Sequence, residues 1–347
     1  MIAAGGTAGH VLSALAVAEA LTSRGVFVTF AGSPDRVEAQ LVPEAGYELD
    51  TFRISGFPRQ PSAALVRALF RAGAAPRVCR AILKRRRCDL VFGGGGFVAG
   101  PMVMAAGSLR LPAAIAEADA HLGLANRLAL PFAKRVFLAY PLAGRTGPRY
   151  RVVGRPIPAR ARAIPQDEAR EIFELPPDGP VLLVAGALAG ARSINETVVE
   201  AFAEVGPAIL HIAGERDYWG LRSRMRRDDY RLIPSTDRIG AAYSAADLVL
   251  SRAGSSVWEM AAAGKPAVLV PYPFATADHQ AKNAEYFVQA GGAMMIRDLD
   301  LDDVPERVRS LLNDPARRAR MSEAMLRVAK PEAAEEIAEG LIALARS

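Results

Sequence analysis

Short apolar runs alternate with helical stretches, and this rhythm occurs twice along the chain; no other feature limits its fold as strongly. In the first half the runs are Met1 to Ala4, Val26 to Ala31, Leu90 to Phe92, Ala113 to Ile115, Val136 to Leu138 and Arg151 to Val153. Such brief, continuous runs with helical lengths between them predict strands covered on both faces, hence a parallel, doubly wound α/β sheet. Gly154-Arg155-Pro156-Ile157-Pro158 and a polar, proline-containing stretch to about Pro180 interrupt the rhythm. It restarts at Val181 to Val184, Ile209 to Ile212, Leu248 to Leu250 and Ala267 to Val270. With 347 residues to divide, the pattern predicts one α/β domain over 1–158 and a second over 159–330. A last helix, in 331–347, is expected to pack back across the first domain.

Each domain places a glycine-rich turn after its first strand: Gly5-Gly6-Thr7-Ala8-Gly9-His10, and Gly186-Ala187-Leu188-Ala189-Gly190. A third turn, Gly93-Gly94-Gly95-Gly96 and on to Gly100, follows the run ending at Phe92. Glycine lets a backbone bend sharply and approach a phosphate closely, while the next helix offers its N–H groups. One such turn can reflect tight helix–strand packing alone; three at corresponding strand ends point to a phosphate-bearing ligand. Neither domain has a clean G-x-G-x-x-G with an acidic residue about 20 positions on, which disfavours hydride transfer.

The run Ser251 to Pro266 is the most explicit. Leu248 to Leu250 reads as a strand, Gly254, Ser255 and Ser256 as the turn, and Val257 to Ala263 as a helix, so the helix-start N–H groups face the strand's carboxyl end. Glu259 lies one turn in, where it can accept hydrogen bonds from a pair of sugar hydroxyls such as a ribose. The competing reading is an ordinary strand–loop–helix unit with a capping serine and a solvated glutamate.

A formal charge of +6 admits nucleic acid, an anionic membrane or an anionic substrate as partner. The clearest basic cluster joins Arg67, Arg71, Arg77, Arg80 and Lys84 to Arg87, interleaved with Leu65, Val66, Leu69 and Phe70. No zinc-finger spacing or aromatic ribonucleoprotein motif accompanies it, so no nucleic-acid partner is expected. Leu65, Val66, Arg67, Leu69, Phe70, Arg71, Arg80 and Lys84 read either as a solvated helix face or as a patch for an anionic membrane surface. No apolar stretch reaches the roughly 18 to 20 residues of a spanning helix. Only Met1 to Ala4 precede the first loop, which leaves no room for a signal peptide, gives a cytoplasmic expectation, and leaves open an upstream start. Cys79 and Cys88 lack metal-ligand spacing, and neither a disulfide framework nor a metal site is expected.

Taken in order, Gly5 to Val11, Gly93 to Pro101, Glu117-Ala118-Asp119 with Gly123 to Asn126, Val153 to Pro156, Gly186 to Asn195, Ser251 to Pro266 and Asp278-His279-Gln280 resemble the MurG family. These N-acetylglucosaminyltransferases complete the lipid-linked disaccharide-pentapeptide of peptidoglycan. The resemblance covers nearly the whole chain. It implies a GT-B fold, two Rossmann-like domains facing across a cleft, with UDP-N-acetylglucosamine held mainly by the second and an undecaprenyl-diphosphate acceptor by the loops of the first. It further implies a peripheral enzyme on the cytoplasmic face of the inner membrane, in the company of other cell-wall synthesis proteins, with no cofactor. Carried over residue by residue, Thr7, Ala8 and Gly9 approach the donor sugar, Ala187 lies by the donor diphosphate, Glu259 binds the ribose and Gln280 the sugar hydroxyls. Asp119, Thr236, Arg252, Gly254, Ser255 and Ser256 complete the donor set, and Gly9, His10, Gly94, Gly95 and Gly96 face the acceptor diphosphate. The chain departs from the family pattern at Ala8, Asp119, Ala187 and Pro158, and its Arg-Ala-Gly turn is one residue short.

The implied chemistry is a direct displacement at the anomeric carbon by the acceptor's 4-hydroxyl, with inversion. No Asp-x-Asp stands at a strand end, so helix N-termini and Arg252 are expected to carry the leaving group's charge without a metal. His10 is the leading general base, because an imidazole titrates near neutrality. Glu117 and Asp119 are the alternatives for that role, unless they cap the following segment. The rival readings are another chemistry on the same scaffold, such as epimerisation of UDP-GlcNAc or glycosyl transfer to another lipid or natural product, and a catalytically dead nucleotide-sugar-binding partner.

Overall fold

The computed structural model of the chain describes residues 1–54, 63–186 and 190–347, without the side chains of 63–72. The chain divides into two compact units, Met1–Pro158 with Lys330–Ser347, and Ala159–Ala329.

Among the described residues the first unit holds a seven-stranded sheet: β1 (Ile2–Ala4), β2 (Phe30–Gly32), β3 (Leu49–Thr51), β4 (Val91–Gly95), β5 (Ala113–Glu117), β6 (Arg135–Leu138) and β7 (Tyr150–Val152). Their order is β3-β2-β1-β4-β5-β6-β7, and every pairing is parallel. Its helices are α1 (Ala8–Thr22), α2 (Glu38–Glu44), α3 (Ala63–Arg86), α4 (Ala99–Ser108) and α5 (Leu124–Ala129). On one face Leu15, Phe30, Phe92 and Phe137 pack with Ile337 and Leu341 of the C-terminal helix; on the other Met102, Ile115, Val136 and Ile82 form a second core. The expected strand over Val26 to Ala31 begins only at Phe30, and Phe27 is 79% exposed, because Val26 to Thr29 run outside the ladder until Ile2 reaches the Thr29 carbonyl.

The second unit places α6 (Gln166–Ile172) ahead of β8 (Val181–Ala185), then α7 (Arg192–Phe202), β9 (Ala208–Ile212), α8 (Glu215–Arg222), β10 (Tyr230–Ile233) and α9 (Ile239–Ala245). It continues through β11 (Leu248–Ser251), α10 (Val257–Ala262), β12 (Ala267–Leu269), α11 (His279–Gln289), β13 (Ala293–Met295), α12 (Val304–Leu312) and α13 (Pro315–Val328). Its sheet is also parallel, in the order β10-β9-β8-β11-β12-β13. The last helix, α14 (Ala333–Ala345), belongs to the first unit and packs on α1.

In both sheets the order of connection reverses once, between β1 and β4 and between β8 and β11. At such a reversal the loops leaving the two strands diverge to opposite faces, and a crevice opens at the carboxyl ends. The glycine turns read from the sequence leave β1, β4, β8 and β11. Among the described residues, no helix is long and apolar enough to cross a membrane.

Candidate functional site

In the first unit β1 and β4 pair with a register shift at Ala3/Ala4, which sets the turn after β1 against the turn ending β4. Gly5 N–H donates to Gly95 O at 3.3 Å. Gly96 has φ +77°, and a Cβ there would stand 2.0 Å from the Gly5 carbonyl oxygen, so only glycine fits. Ala8, Gly9 and His10 form the first turn of α1 rather than part of the loop, with Thr7 extended at its N-cap. Thr7 caps nothing; its hydroxyl instead pairs with His10 Nδ1 at 3.0 Å. A Cβ on Gly95 would stand 2.5 Å from Cδ2 of the His10 ring, so the imidazole packs directly against this turn.

His10, Gly95, Gly96, Glu117 and Asp119 together line one cavity of about 470 Å³, within the usual range of about 300–1,000 Å³ for small-molecule sites. Gly94 does not face it: a Cβ there would press on Ala14 and Ala4, and it borders a separate space of only about 20 Å³. Glu117 ends β5 and is 6% exposed. Its Oε1 accepts the N–H groups of Ala118 and Asp119 at 2.9 and 3.2 Å, and its Oε2 those of Gly123 and the Asn126 amide at 2.8 and 2.9 Å. Burial pushes its pKa up against these four donors. A carboxylate so engaged holds the 118–123 loop; His10, Asp119 and Asn126 are further polar side chains in the lining.

Sequence reading missed Glu38. Fully buried at the start of α2, it accepts Gly6 N–H at 3.0 Å and Ser33 N–H at 2.9 Å. A Cβ on Gly5 would lie 2.3 Å from its Oε1. In sequence nothing distinguishes it from an acid solvated in a helix's first turn.

In the second unit β11 runs into the turn Arg252 to Ser256 and then α10. The turn's own bonds start with Val257 N–H to Gly254 O at 3.4 Å and Trp258 N–H to Ser255 O at 3.3 Å. Ser251 Oγ, at the end of β11, donates to Ala185 O at the end of β8 at 2.6 Å, and the buried Asn283 amide holds the turn itself at Ala253 O, at 3.3 Å. Gln280 accepts Tyr272 N–H at 2.9 Å and holds its amide nitrogen 4.0 Å from where a Gly254 Cβ would be. Lys265 donates to the last carbonyls of α9, Ser244 O and Ala246 O, at 3.1 and 2.9 Å.

Glu259 is half-buried and accepts the hydroxyl of Tyr243, on α9, at 3.1 Å. Burial first, and the Glu259 charge second, raise the Tyr243 pKa well above 10, so this phenol stays a donor. Tyr243 was not singled out in the sequence, where it reads as one more core residue of an alanine-rich helix. Arg252 is 8% exposed and largely committed: it bonds Asp298, the Ser193 hydroxyl at 2.8 Å and the carbonyls of Val270 and Pro271 at 3.3 Å. It braces the turn. Thr236 stands on the loop between β10 and α9, where its hydroxyl accepts Arg238 N–H at 3.0 Å. Ala187 lies outside the described residues, as do the side chains of Leu65, Val66, Arg67, Leu69, Phe70 and Arg71. Of the remaining patch, Arg80 bonds Ser108 and Lys84 is exposed, while the neighbouring Arg85 and Arg86 pair with Asp50, each at 2.6 Å.

Both units thus carry tight turns at the carboxyl ends of their central strands. Residues 1–138 match the glycosyltransferase family 28 N-terminal domain, and residues 181–337 match the glycosyltransferase family 28 C-terminal domain. A relative from Acidithiobacillus ferrooxidans, "UDP-N-acetylglucosamine--N-acetylmuramyl-(pentapeptide) pyrophosphoryl-undecaprenol N-acetylglucosamine transferase", is 41% identical over 99% of this chain and 96% of its own. A relative of the same name from Mycobacterium bovis is 40% identical over 99% of this chain and 88% of its own. Among solved structures, MurG of Acinetobacter baumannii superposes with a TM-score of 0.76 at 28% identity, over 99% of both chains. With both family domains matched in order and full-length relatives well above 30% identity, the chain belongs to glycosyltransferase family 28.

Proposed function

We propose that this enzyme transfers N-acetylglucosamine from UDP-GlcNAc to the 4-hydroxyl of the muramoyl residue of undecaprenyl-diphospho-MurNAc-pentapeptide, converting lipid I into lipid II. The observation that carries this is the 41% identity across 99% of the chain with a transferase of that name. The anchors of the second unit support its part in the reading. The Asn283 amide holds the 252–256 turn at the Ala253 carbonyl, which supports the turn's N–H groups as the seat of a diphosphate, and the Tyr243 hydroxyl donates to Glu259, which supports that carboxylate as the partner of a ribose diol.

In the first unit, with Thr7 Oγ1 accepting from Nδ1–H, His10 Nε2 carries the lone pair and accepts the proton of the attacking hydroxyl. The new bond forms from the acceptor oxygen to the anomeric carbon as the bond to the UDP oxygen breaks, so an α-linked donor gives a β-linked product. The departing charge falls on backbone N–H groups rather than on a metal. Arg80 and Lys84, with the apolar residues of α3, support work at an anionic membrane surface. Incubation with radiolabelled UDP-GlcNAc and a short-chain prenyl-diphospho-MurNAc-pentapeptide tests the reading. A β-linked disaccharide, formed equally in excess EDTA, is expected. Absence of transfer would refute the function, and loss in EDTA with recovery on magnesium would refute metal independence.

A further inference from the structure

The first unit's cavity of about 470 Å³ is lined by two kinds of surface. His10, the Gly95–Gly96 turn, Glu117, Asp119 and Asn126 give it polar groups, while Pro101 and Met104 of α4 and Leu124 and Leu128 of α5 give it hydrocarbon. Leu124 and Leu128 stand four residues apart, hence on one helical face, and are 54% and 53% exposed. Large aliphatic side chains left this open inside a ligand-sized cavity mark a place where hydrocarbon is to be covered. We propose that the Met104, Leu124 and Leu128 wall is a subsite for the first isoprene units of a prenyl diphosphate, the lipid end of the acceptor.

The proposal rests on the acceptor assignment above and deepens it. In a prenyl diphosphate the hydrocarbon begins one oxygen away from phosphorus, so a diphosphate on the 95–96 turn lays its first carbons within the same cavity. A sugar or a peptide laid on Pro101, Met104, Leu124 and Leu128 would find no hydrogen-bond partner in those four side chains. A lining that offers glycine N–H groups and an imidazole together with aliphatic carbon suits a ligand that carries both phosphate and isoprene. Seating the lipid by its first units would also fix the direction from which the muramoyl hydroxyl reaches His10.

The test compares the full-length parent with a Leu124→Ser/Leu128→Ser variant on two soluble acceptors, MurNAc-pentapeptide joined through diphosphate to a short prenyl chain or to methyl. The parent is expected to prefer the prenyl acceptor. In the variant, KM for that acceptor should rise by about tenfold or more, about 1.4 kcal/mol per tenfold, while the donor KM and the methyl acceptor's KM stay as in the parent. An unchanged prenyl KM in the folded variant overturns the proposal, as does an equal rise for both acceptors, which marks a role in the fold. Sedimentation with anionic-lipid vesicles separates the lipid tail from the bilayer itself. Unchanged sedimentation with a raised prenyl KM supports the subsite, whereas weakened sedimentation with an unchanged KM makes these leucines a membrane contact and overturns it. A parent that uses both acceptors with equal KM removes the subsite alone; a parent inactive on both removes the acceptor assignment and the subsite with it.

Discussion

In the first unit the turns after β1 and β5 hang by their N–H groups from buried carboxylates, Glu38 and Glu117. In the second unit the ends of β8 and β11 are held at carbonyls by buried donors, with Ser251 on Ala185 and Asn283 on Ala253. A turn held by its carbonyls keeps its N–H groups for an anionic ligand; one held by its N–H groups has already used them on its own protein. The contrast supports the proposed place of the donor's diphosphate in the second unit. It likewise supports the proposal that side chains, His10 and Asp119, do the chemistry in the first unit's cavity, together with the glycines at 95 and 96. Variants in the first unit should therefore act on turnover or stability, and variants in the second on donor affinity.

The largest effect is expected for His10→Ala, a fall in kcat of about 10²- to 10⁴-fold with donor KM unchanged. Steady-state kinetics would show it; a fall of a few-fold would shift the general base to Asp119. Next comes Glu117→Ala. It strands the N–H groups of Ala118, Asp119 and Gly123 and the Asn126 amide, and should cost about 3 to 5 kcal/mol of stability in urea unfolding. Full stability with lost turnover would instead make Glu117 a catalyst. Glu259→Ala should raise the donor KM by the equivalent of about 1 to 3 kcal/mol, and the loss of the buried Tyr243 hydroxyl's acceptor should cost about 1 to 3 kcal/mol of stability; an unchanged donor KM would break the contrast.

The smallest effect is one of pH. His211, fully buried in β9, pairs with the Tyr230 hydroxyl at 2.8 Å and the Asn195 amide oxygen at 3.0 Å, and burial lowers its pKa to about 3. Below an unfolded value near 6.5 the unfolded chain takes up a proton that the folded chain refuses, so stability falls on acidification by about 1.4 kcal/mol per pH unit until the folded pKa is reached. Urea midpoints for the parent and His211→Gln between pH 7 and 5 should show a shallower slope in the variant, from a lower starting stability. Parallel slopes would mean that His211 takes up its proton in the folded state.

The strands absent from the sequence reading were β3, β10 and β13, and each lies at an edge of its sheet. Leu49-Asp50-Thr51 and Tyr230-Arg231-Leu232-Ile233 are only partly buried, so they lack the continuous apolar run that marks an interior strand. The glycine turns were legible because close backbone approach requires glycine whatever surrounds it. What closes those turns was not. Glu38 and Tyr243 act on residues 32 and 16 positions away, and no local spacing connects a buried anchor to the loop it holds. Arg252 is the opposite case: its place beside the turn was visible, but its commitment to Asp298 and Ser193 arises only in the folded unit.

Calorimetric titration of UDP into the full-length parent, His10→Ala and Glu259→Ala tests the division between the two units most directly. Expected are parental affinity for His10→Ala and a Kd raised about 5- to 150-fold for Glu259→Ala, the equivalent of about 1 to 3 kcal/mol. The reverse, with UDP affinity lost in His10→Ala and kept in a folded Glu259→Ala, would contradict the assignment of the nucleotide to the second unit.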